Sequence, residues 1–417
     1  METNKNSLQL IYKKKEWCLF FILLMSVFLT NILFVFINYH DFKKEELYLT
    51  TAKILNIYPK QNFNVLKLED EKLTFFTSVS TSKEVNKLDK ISITVLTRNI
   101  DFLGYLRGFY AQSFNLFLIA DQEFTLKQNA HLNVLAQHEN KNISELFDAL
   151  FFAMPLGQEL RQLCAVFGIS HLIAISGFHL GVMSLLIYTV FYFPYNYIHT
   201  RYFPYRNKKF DILILTSIIL LSYVLFTNIV PSLLRAFIMF IFGIFFLRRN
   251  IKILSYETLA IISLLIISFF PKYLFSLSLW FSICAVFYIF LFLQYFKNLP
   301  KIGQFLLFNV WIYLVMNPVS HYFFGTTSLI QLISPFLTMG FTLFYPFEAM
   351  AHLFGFGGIL DGVLEFWLSL KMTSYEVFTS AWFFYFYLGL SFLSIWFRSI
   401  FVFLNVSFVL FNIYLYT

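Results

Sequence analysis

Between Gly168 and Gly181 an apolar run carries two serines, two histidines and three glycines: Gly-Ile-Ser-His-Leu-Ile-Ala-Ile-Ser-Gly-Phe-His-Leu-Gly. On a helix Ser176 and His179 lie three residues apart and can touch, a spacing open to a serine nucleophile and its base. His171 and His179 are a little over two turns apart and would project to roughly the same side. Polar groups are expensive inside an apolar segment, so they mark either a protein-lined path or a helix–helix contact. The spacing leaves both readings open. One is a broken or closely packed helix lining a hydrophilic route, with Gly168, Gly177 and Gly181 keeping the backbone approachable. The other is small residues cementing helices, the histidines satisfied by neighbouring carbonyls.

A second constellation is Pro231-Ser232-Leu233-Leu234-Arg235-Ala236-Phe237-Ile238-Met239, with Arg235 about one turn into an apolar helix. An arginine cannot shed its proton as a lysine can. A charge at the centre of a bilayer costs about 2.5–3.5 kcal/mol on insertion scales. Arg235 therefore either snorkels to headgroups or faces the bundle interior and meets a phosphate or a carboxylate. A third run, Ser278-Leu279-Trp280-Phe281-Ser282-Ile283-Cys284-Ala285, and a fourth around Gln331 and Pro335 place isolated polar residues in apolar surroundings. Asp148, Glu159 and Arg161, ahead of the first run, either pair with the bundle or face water, and the second is the simpler reading.

These residues need a frame of membrane helices. Only 13% of the chain is charged and 59% is hydrophobic, whereas a soluble domain is about a quarter charged. Apolar runs long enough to cross a bilayer recur. A first span runs from about Trp17 to Tyr39 behind Lys13, Lys14 and Lys15; it is too long for a signal-peptide core. Further spans read as His171–Phe193, Asp211–Val230, Ser232–Leu247, Ile253–Phe270, Tyr273–Tyr295, Gln304–Phe323, Ser328–Phe347, Phe378–Phe397 and Ser399–Tyr414. Ala351–Leu370, with Asp361 and Glu365, reads as interfacial or re-entrant. The fold class is a polytopic α-helical membrane protein of about 9–11 spans with a small β-rich domain after the first. Among 58 phenylalanines, single aromatics carry little weight as site markers. Cys18, Cys164 and Cys284 have the spacing of neither a metal site nor a disulfide framework.

Four segments follow: 1–40, the N-terminus and first span; 41–100, β-rich; 101–167, interfacial and amphipathic helices; and 168–417, the bundle. Period-two alternation appears in Thr51–Ile57, Val65–Leu68 and Ile91–Val95, with turn residues at Pro59-Lys60-Gln61-Asn62 and Glu69-Asp70-Glu71. Four or five short strands suggest a small barrel of the OB type. Phe102–Leu118 reads as an interfacial helix, and Asn142 as the N-cap of an amphipathic helix with Glu145 reaching back. Between Leu49 and Arg98 eight basic residues face five acids, a modest excess. Lys53, Lys67, Lys90 and Arg98 are its candidates for contact with an anionic partner. The basic loops at Arg201–Lys209, at Arg248, Arg249 and Lys252, and at Lys297 and Lys301 fall on one side if the N-terminus is cytoplasmic. The β-rich domain then lies outside.

The first run resembles the signature of the ComEC family of competence proteins, G-x-S-H-L-L-A-I-S-G-L-H. Ser232, Arg235, Ala236 and Met239 match a second family pattern, S-x-x-R-A-x-x-M. The third, G-F-Q-L-S-F-L-A, is met at Ser282 and Ala285, but Ser278 replaces its glycine and Trp280 its glutamine. Gln331 stands where the family often has asparagine before a proline. The resemblance runs from about Leu47 onward. It implies a channel passing single-stranded DNA across the bacterial cytoplasmic (inner) membrane during natural transformation, with an OB-like outer domain. His171, Ser176, Gly177, His179, Ser232, Arg235 and Ser282 would line or gate the route. Implied partners are single-stranded DNA, an extracytoplasmic DNA receptor, a cytoplasmic helicase-type motor, a separate nuclease, membrane lipid and a second copy of the chain. Many relatives carry a metallo-β-lactamase-like nuclease domain, marked by His-x-His-x-Asp-His. That motif does not occur here, nor does a G-x-x-x-x-G-K-[ST] phosphate loop. The expectation is a short form that is not an enzyme and needs no metal or cofactor. Alternatives are a small-solute or lipid transporter and an intramembrane serine protease using Ser176 and His179. The protease would want its histidine on a different helix and a glycine at position 174, which is Ala174.

Overall fold

The structure, a computed structural model, describes residues 14–60, 62–70, 73–80, 85–119, 126–249 and 255–417. Gln61 and Glu71 of the expected turns, and Lys13, Lys72, Lys83, Glu84 and Lys252 of the charge counts, lie outside the described residues. The chain gathers into two compact units, one within 11–158 and 261–277, the other within 159–260 and 278–417.

The first unit opens with α1 (Lys14–Phe42), an apolar helix. Four strands follow: β1 (Leu47–Pro59), β2 (Phe63–Glu69), β3 (Thr74–Ser80) and β4 (Lys90–Leu96). Then come α2 (Phe102–Arg107), β5 (Phe109–Tyr110) and β6 (Ser113–Leu118). β1 lies between β2 and β4, antiparallel to both, and β3 adds antiparallel to β2. β5 is parallel to β3 and forms one end of the sheet; β6 is antiparallel to β4 and forms the other. Only Ala111 and Gln112 separate β5 from β6, so one stretch of chain borders both ends and closes the sheet on itself. The Ala111 N–H bonds Phe76 O at 2.8 Å, and the Leu96 N–H bonds Gln112 O at 3.0 Å. This seam joins the two ends at Phe76 and Leu96, so the outer edges of β3 and β4 are met there by one stretch of chain. The period of two sends Ile54, Leu66, Leu68, Phe75, Ile91 and Ile93 inward, all buried.

Phe102–Leu118 is therefore not one helix. Asp101 caps α2 through Gly104 N at 3.0 Å. Gly108, at φ +91°, then turns the chain into β5. Helices α3 (Leu126–Leu135) and α4 (Lys141–Phe152) follow. The cap of α4 is Asn140, which accepts from Asn142 N at 3.0 Å. Glu145 instead takes the Gly157 N–H at 2.6 Å and pairs with Lys87 at 2.6 Å. Asp148 is buried rather than water-facing, with His131 of α3 at 2.7 Å.

The remaining chain is mainly helical: α5 (Gln158–Val166), α6 (Ser170–Ile173), α7 (Gly177–Tyr202), α8 (Lys208–Phe226), α9 (Pro231–Arg249), α10 (Tyr256–Phe269), α11 (Leu277–Phe296) and α12 (Lys301–Phe323). After these come β7 (Thr326–Thr327), α13 (Ser334–Leu353), α14 (Asp361–Ser369), β8 (Tyr375–Glu376), α15 (Ala381–Leu393) and α16 (Arg398–Tyr416). Among the described residues seven helices are long and apolar enough to cross a membrane: α1, α7, α8, α11, α12, α13 with its leading turn, and α16. The chain has the architecture of a multi-pass membrane protein. α9, α10 and α15 are apolar but shorter. The expected span Phe378–Phe397 is a helix of 13 residues.

β7 and β8 pair antiparallel, Thr326 opposite Glu376. The chain between them thus leaves and returns at one place. α14, of 9 residues, is about 14 Å long and cannot cross an apolar layer of about 30 Å. Ala351–Leu370 is accordingly the tip and return limb of a hairpin begun by α13. α16 ends at the same place, where Tyr375 Oη donates to Leu415 O at 2.8 Å.

Candidate functional site

The run Gly168–Gly181 is broken twice. Gly168 sits at φ +67°, where an L side chain is strained. α6 then lasts four residues, and Ser176 is extended as the N-cap of α7 (φ −136°, ψ 179°). Ser176 Oγ accepts the Phe178 N–H at 3.3 Å, and His179 Nδ1 accepts the Ser176 N–H at 3.2 Å. This is a capping box with histidine in the place usually taken by glutamate or glutamine. Counting turns along one continuous helix consequently misplaced the two histidines. His171 keeps an exposed face, its Nε2 3.3 Å from Thr338 Oγ1 of α13. His179 is fully buried, its ring 4.6 Å from Tyr345 and 5.6 Å from Phe341.

Ser176 Oγ does lie 3.2 Å from His179 Nδ1. That nitrogen already accepts a main-chain N–H, and the other ring nitrogen makes no hydrogen bond. Among the described residues no carboxylate pairs with this imidazole, and a catalytic base is usually oriented by a third group. The pair closes the end of a helix, which disfavours the protease reading.

Arg235 draws the separate runs together. It is 4% exposed. Its Nε donates to Ser282 Oγ of α11 at 2.8 Å and its Nη1 to Met239 Sδ at 3.0 Å. Among the described residues no carboxylate pairs with it. Ser232 Oγ donates to Ile175 O at 2.8 Å, satisfying a carbonyl left free where the helix breaks. At Gly177 an added Cβ would stand 3.2 Å from Ala236 Cβ and 3.4 Å from Arg235 Nη2. Glycine thus lets α9 close on the first turn of α7. Several N–H donors converge there: the guanidinium, with more donors than its two contacts use, and the amino end of a long helix. Such a place suits an anion. Ser176, Gly177, His179, Ser232, Arg235 and Ser282 form one neighbourhood, while His171 stands apart against α13.

The fourth run supports the first. Gln331 Nε2 donates to Ala165 O and Thr326 O, both at 2.9 Å, and Ser334 Oγ donates to Gly168 O at 2.8 Å. Tyr416 Oη reaches Gln331 Oε1 at 3.3 Å. Sequence reasoning missed Ser334, Thr338, Phe341, Tyr345, Glu348 and His352, although they recur at steps of four and three along α13.

In the barrel, Lys53 of β1 lies opposite Lys90 of β4 and Glu69 of β2. Lys67 of β2 is opposite Phe76 of β3, its Nζ 6.0 Å from that ring. Arg98 follows the far end of β4, about 26 Å from Lys90 at the rise of an extended strand, so it does not join them. Phe76 has Tyr58 at 6.4 Å and Tyr110 opposite it on β5. These outward aromatics were not singled out in the sequence. On α3, burial and the charge of Lys53 push the Lys127 amine down to about 8. Burial also pushes the Asp148 carboxyl up, against the opposing pull of His131.

Among the described residues no group of three His, Cys, Asp or Glu side chains is placed to hold a metal. Neither the curated proteins nor the solved structures include a match to the chain. A family model described as Competence protein matches residues 155–417, more than half the length and the whole of the four polar runs. The chain belongs to the Competence protein family, of the ComEC type.

Proposed function

We propose that this protein is the conduit for single-stranded DNA through the bacterial cytoplasmic membrane in natural transformation. The observation that carries the reading is Arg235: a buried guanidinium with no carboxylate partner among the described residues, held where three separated sequence runs meet. A cation in that position is costly unless it serves an anion, and the anion of a passing strand is its phosphate. A conduit must bind each phosphate weakly enough to release it. One guanidinium beside a helix amino end provides a single handle rather than a trap.

The closed sheet supports an OB-type outer domain. Lys67, Phe76, Tyr58 and Tyr110 share its outer surface, combining the positive charge and aromatic faces that hold single strands. With basic loops on the cytoplasmic side, the β7–β8 end faces out. A DNA receptor outside, a helicase-type motor inside, a nuclease on another polypeptide and a second copy of this chain are the partners such a conduit calls for. The chain acts as a channel rather than an enzyme, without metal or cofactor.

Labelled donor DNA followed in a deletion strain tests the reading. DNA should collect outside the cytoplasmic membrane and fail to reach the cytoplasm. Normal internalisation without the protein refutes it.

A further inference from the structure

One face of α13 carries Ser334, Thr338, Phe341, Tyr345, Glu348 and His352, at alternating steps of four and three. The first four touch the broken run: Ser334 bonds Gly168 O, Thr338 lies against His171, and Phe341 and Tyr345 lie against His179. The stripe then continues into two ionisable residues. Glu348 is 1% exposed, and neither carboxylate oxygen has a hydrogen-bond donor. His352 Nδ1 is 3.3 Å from Glu348 Oε2, but it also stands 2.8 Å from the Glu348 main-chain oxygen. A carbonyl can only accept, so the Nδ1 proton is committed to it. The carboxylate is left with the imidazole at 3.3 Å and no good donor, inside a helix apolar enough to cross a membrane. A bare carboxylate there costs several kcal/mol. Such groups inside membrane helices commonly serve ion or proton paths.

We propose that Glu348 and His352 form a proton-binding site within the bundle, and that its loading and unloading accompanies opening of the polar route along α6, α7 and α13. The proton arrives from water, forms an O–H bond on Glu348, and leaves again to water; no electrons move. The other titratable groups along this stripe are Tyr345 of α13, the His179 ring of α7 4.6 Å from it, and His171 of α6 against Thr338; beyond the end of α13, α14 carries Asp361 and Glu365. Tyr223 of α8 acts through its bond with Tyr345. On α12, Tyr313 bonds Tyr416 and the His321 ring lies against Phe411, so both face α16. This inference does not depend on DNA being the cargo.

The test uses the full chain reconstituted in lipid vesicles and dicyclohexylcarbodiimide, which modifies protonated carboxyls in apolar surroundings. Peptide mass spectrometry should find Glu348 modified, more at acid than at alkaline pH, and position 348 unmodified in Glu348→Gln. With a pH gradient imposed, proton entry should exceed that of protein-free vesicles in the wild type and in Glu348→Asp, and return to that level in Glu348→Gln. Absence of modification at Glu348, or equal proton entry in wild type and Glu348→Gln, overturns the proposal. The labelling arm needs only the wild-type protein, so a variant that misfolds does not decide it. Neither arm contains DNA, so failure here is separable from failure of the conduit reading.

Discussion

Arg235 Nε donates to Ser282 Oγ at 2.8 Å, joining α9 to α11 across 47 residues of sequence. The bond aims the guanidinium toward Gly177 and the amino end of α7. Arg235→Ala should abolish transformation with membrane protein levels unchanged, because the phosphate handle is gone. Ser282→Ala should weaken it by a smaller step, equivalent to about 1–3 kcal/mol for a buried donor left unpaired. Combined, the two changes should cost no more than Arg235→Ala alone, as expected of coupled neighbours. Transformation frequency with an immunoblot of membranes checks all three; wild-type frequency in Arg235→Ala reduces the residue to packing.

Gly168 is strained for any other residue at φ +67°, and a Cβ there would stand 3.3 Å from Gln331 Cγ. Gly168→Ala should destabilise by at least about 1–2 kcal/mol. Gly181→Ala should be nearly neutral, since nothing lies within 4 Å of its Cβ position. Thermal unfolding in detergent compares them.

Lys127 has its amine pushed down to about 8 from 10.5, by burial first and Lys53 second. A depressed folded value makes the protonated form the costly one. The stability tied to the neutral amine is present above 10.5 and is lost as pH falls through about 8. Lys127→Met should therefore stabilise the fold at neutral pH by on the order of 1–3 kcal/mol, read as a higher unfolding temperature. The difference should shrink as pH rises from 8 to 10.5. A difference that is constant with pH would assign the effect to packing.

Phe76 and Tyr110 face each other across β3 and β5 on the outer surface of the barrel. If bases stack there, Phe76→Ala and Tyr110→Ala should each weaken binding of a fluorescent oligonucleotide by about 1–3 kcal/mol. Arg98→Ala, at the far end of the barrel, should change it little. Equal loss from all three would point to diffuse charge instead of stacking.

Composition and apolar length were enough to mark a bundle of membrane helices, because a bilayer imposes a length and a polarity that can be counted. The alternation in Thr51–Ile57 and Ile91–Val95 marked strands because side chains must alternate between the core and water. The spacing of Gly168–Gly181 and Ser232–Met239 marked polar groups where leucine would be cheaper. Other features depended on contacts far apart in the chain. Ser176 and His179 share a cap rather than a helix interior because the backbone breaks at Gly168 and Ala174–Ser176, and a helical count assumes that no break occurs. Phe109–Leu118 became two strands, β5 and β6, because β3 and β4 each offered an unpaired edge. Burial of Asp148 required α3 to cover it, and the return of α14 required β7 to meet β8. The sequence by itself determined which residues are too polar for their surroundings. Only the tertiary structure decided which of them face one another, because partners such as Arg235 and Ser282 are joined by packing between helices and by no local rule.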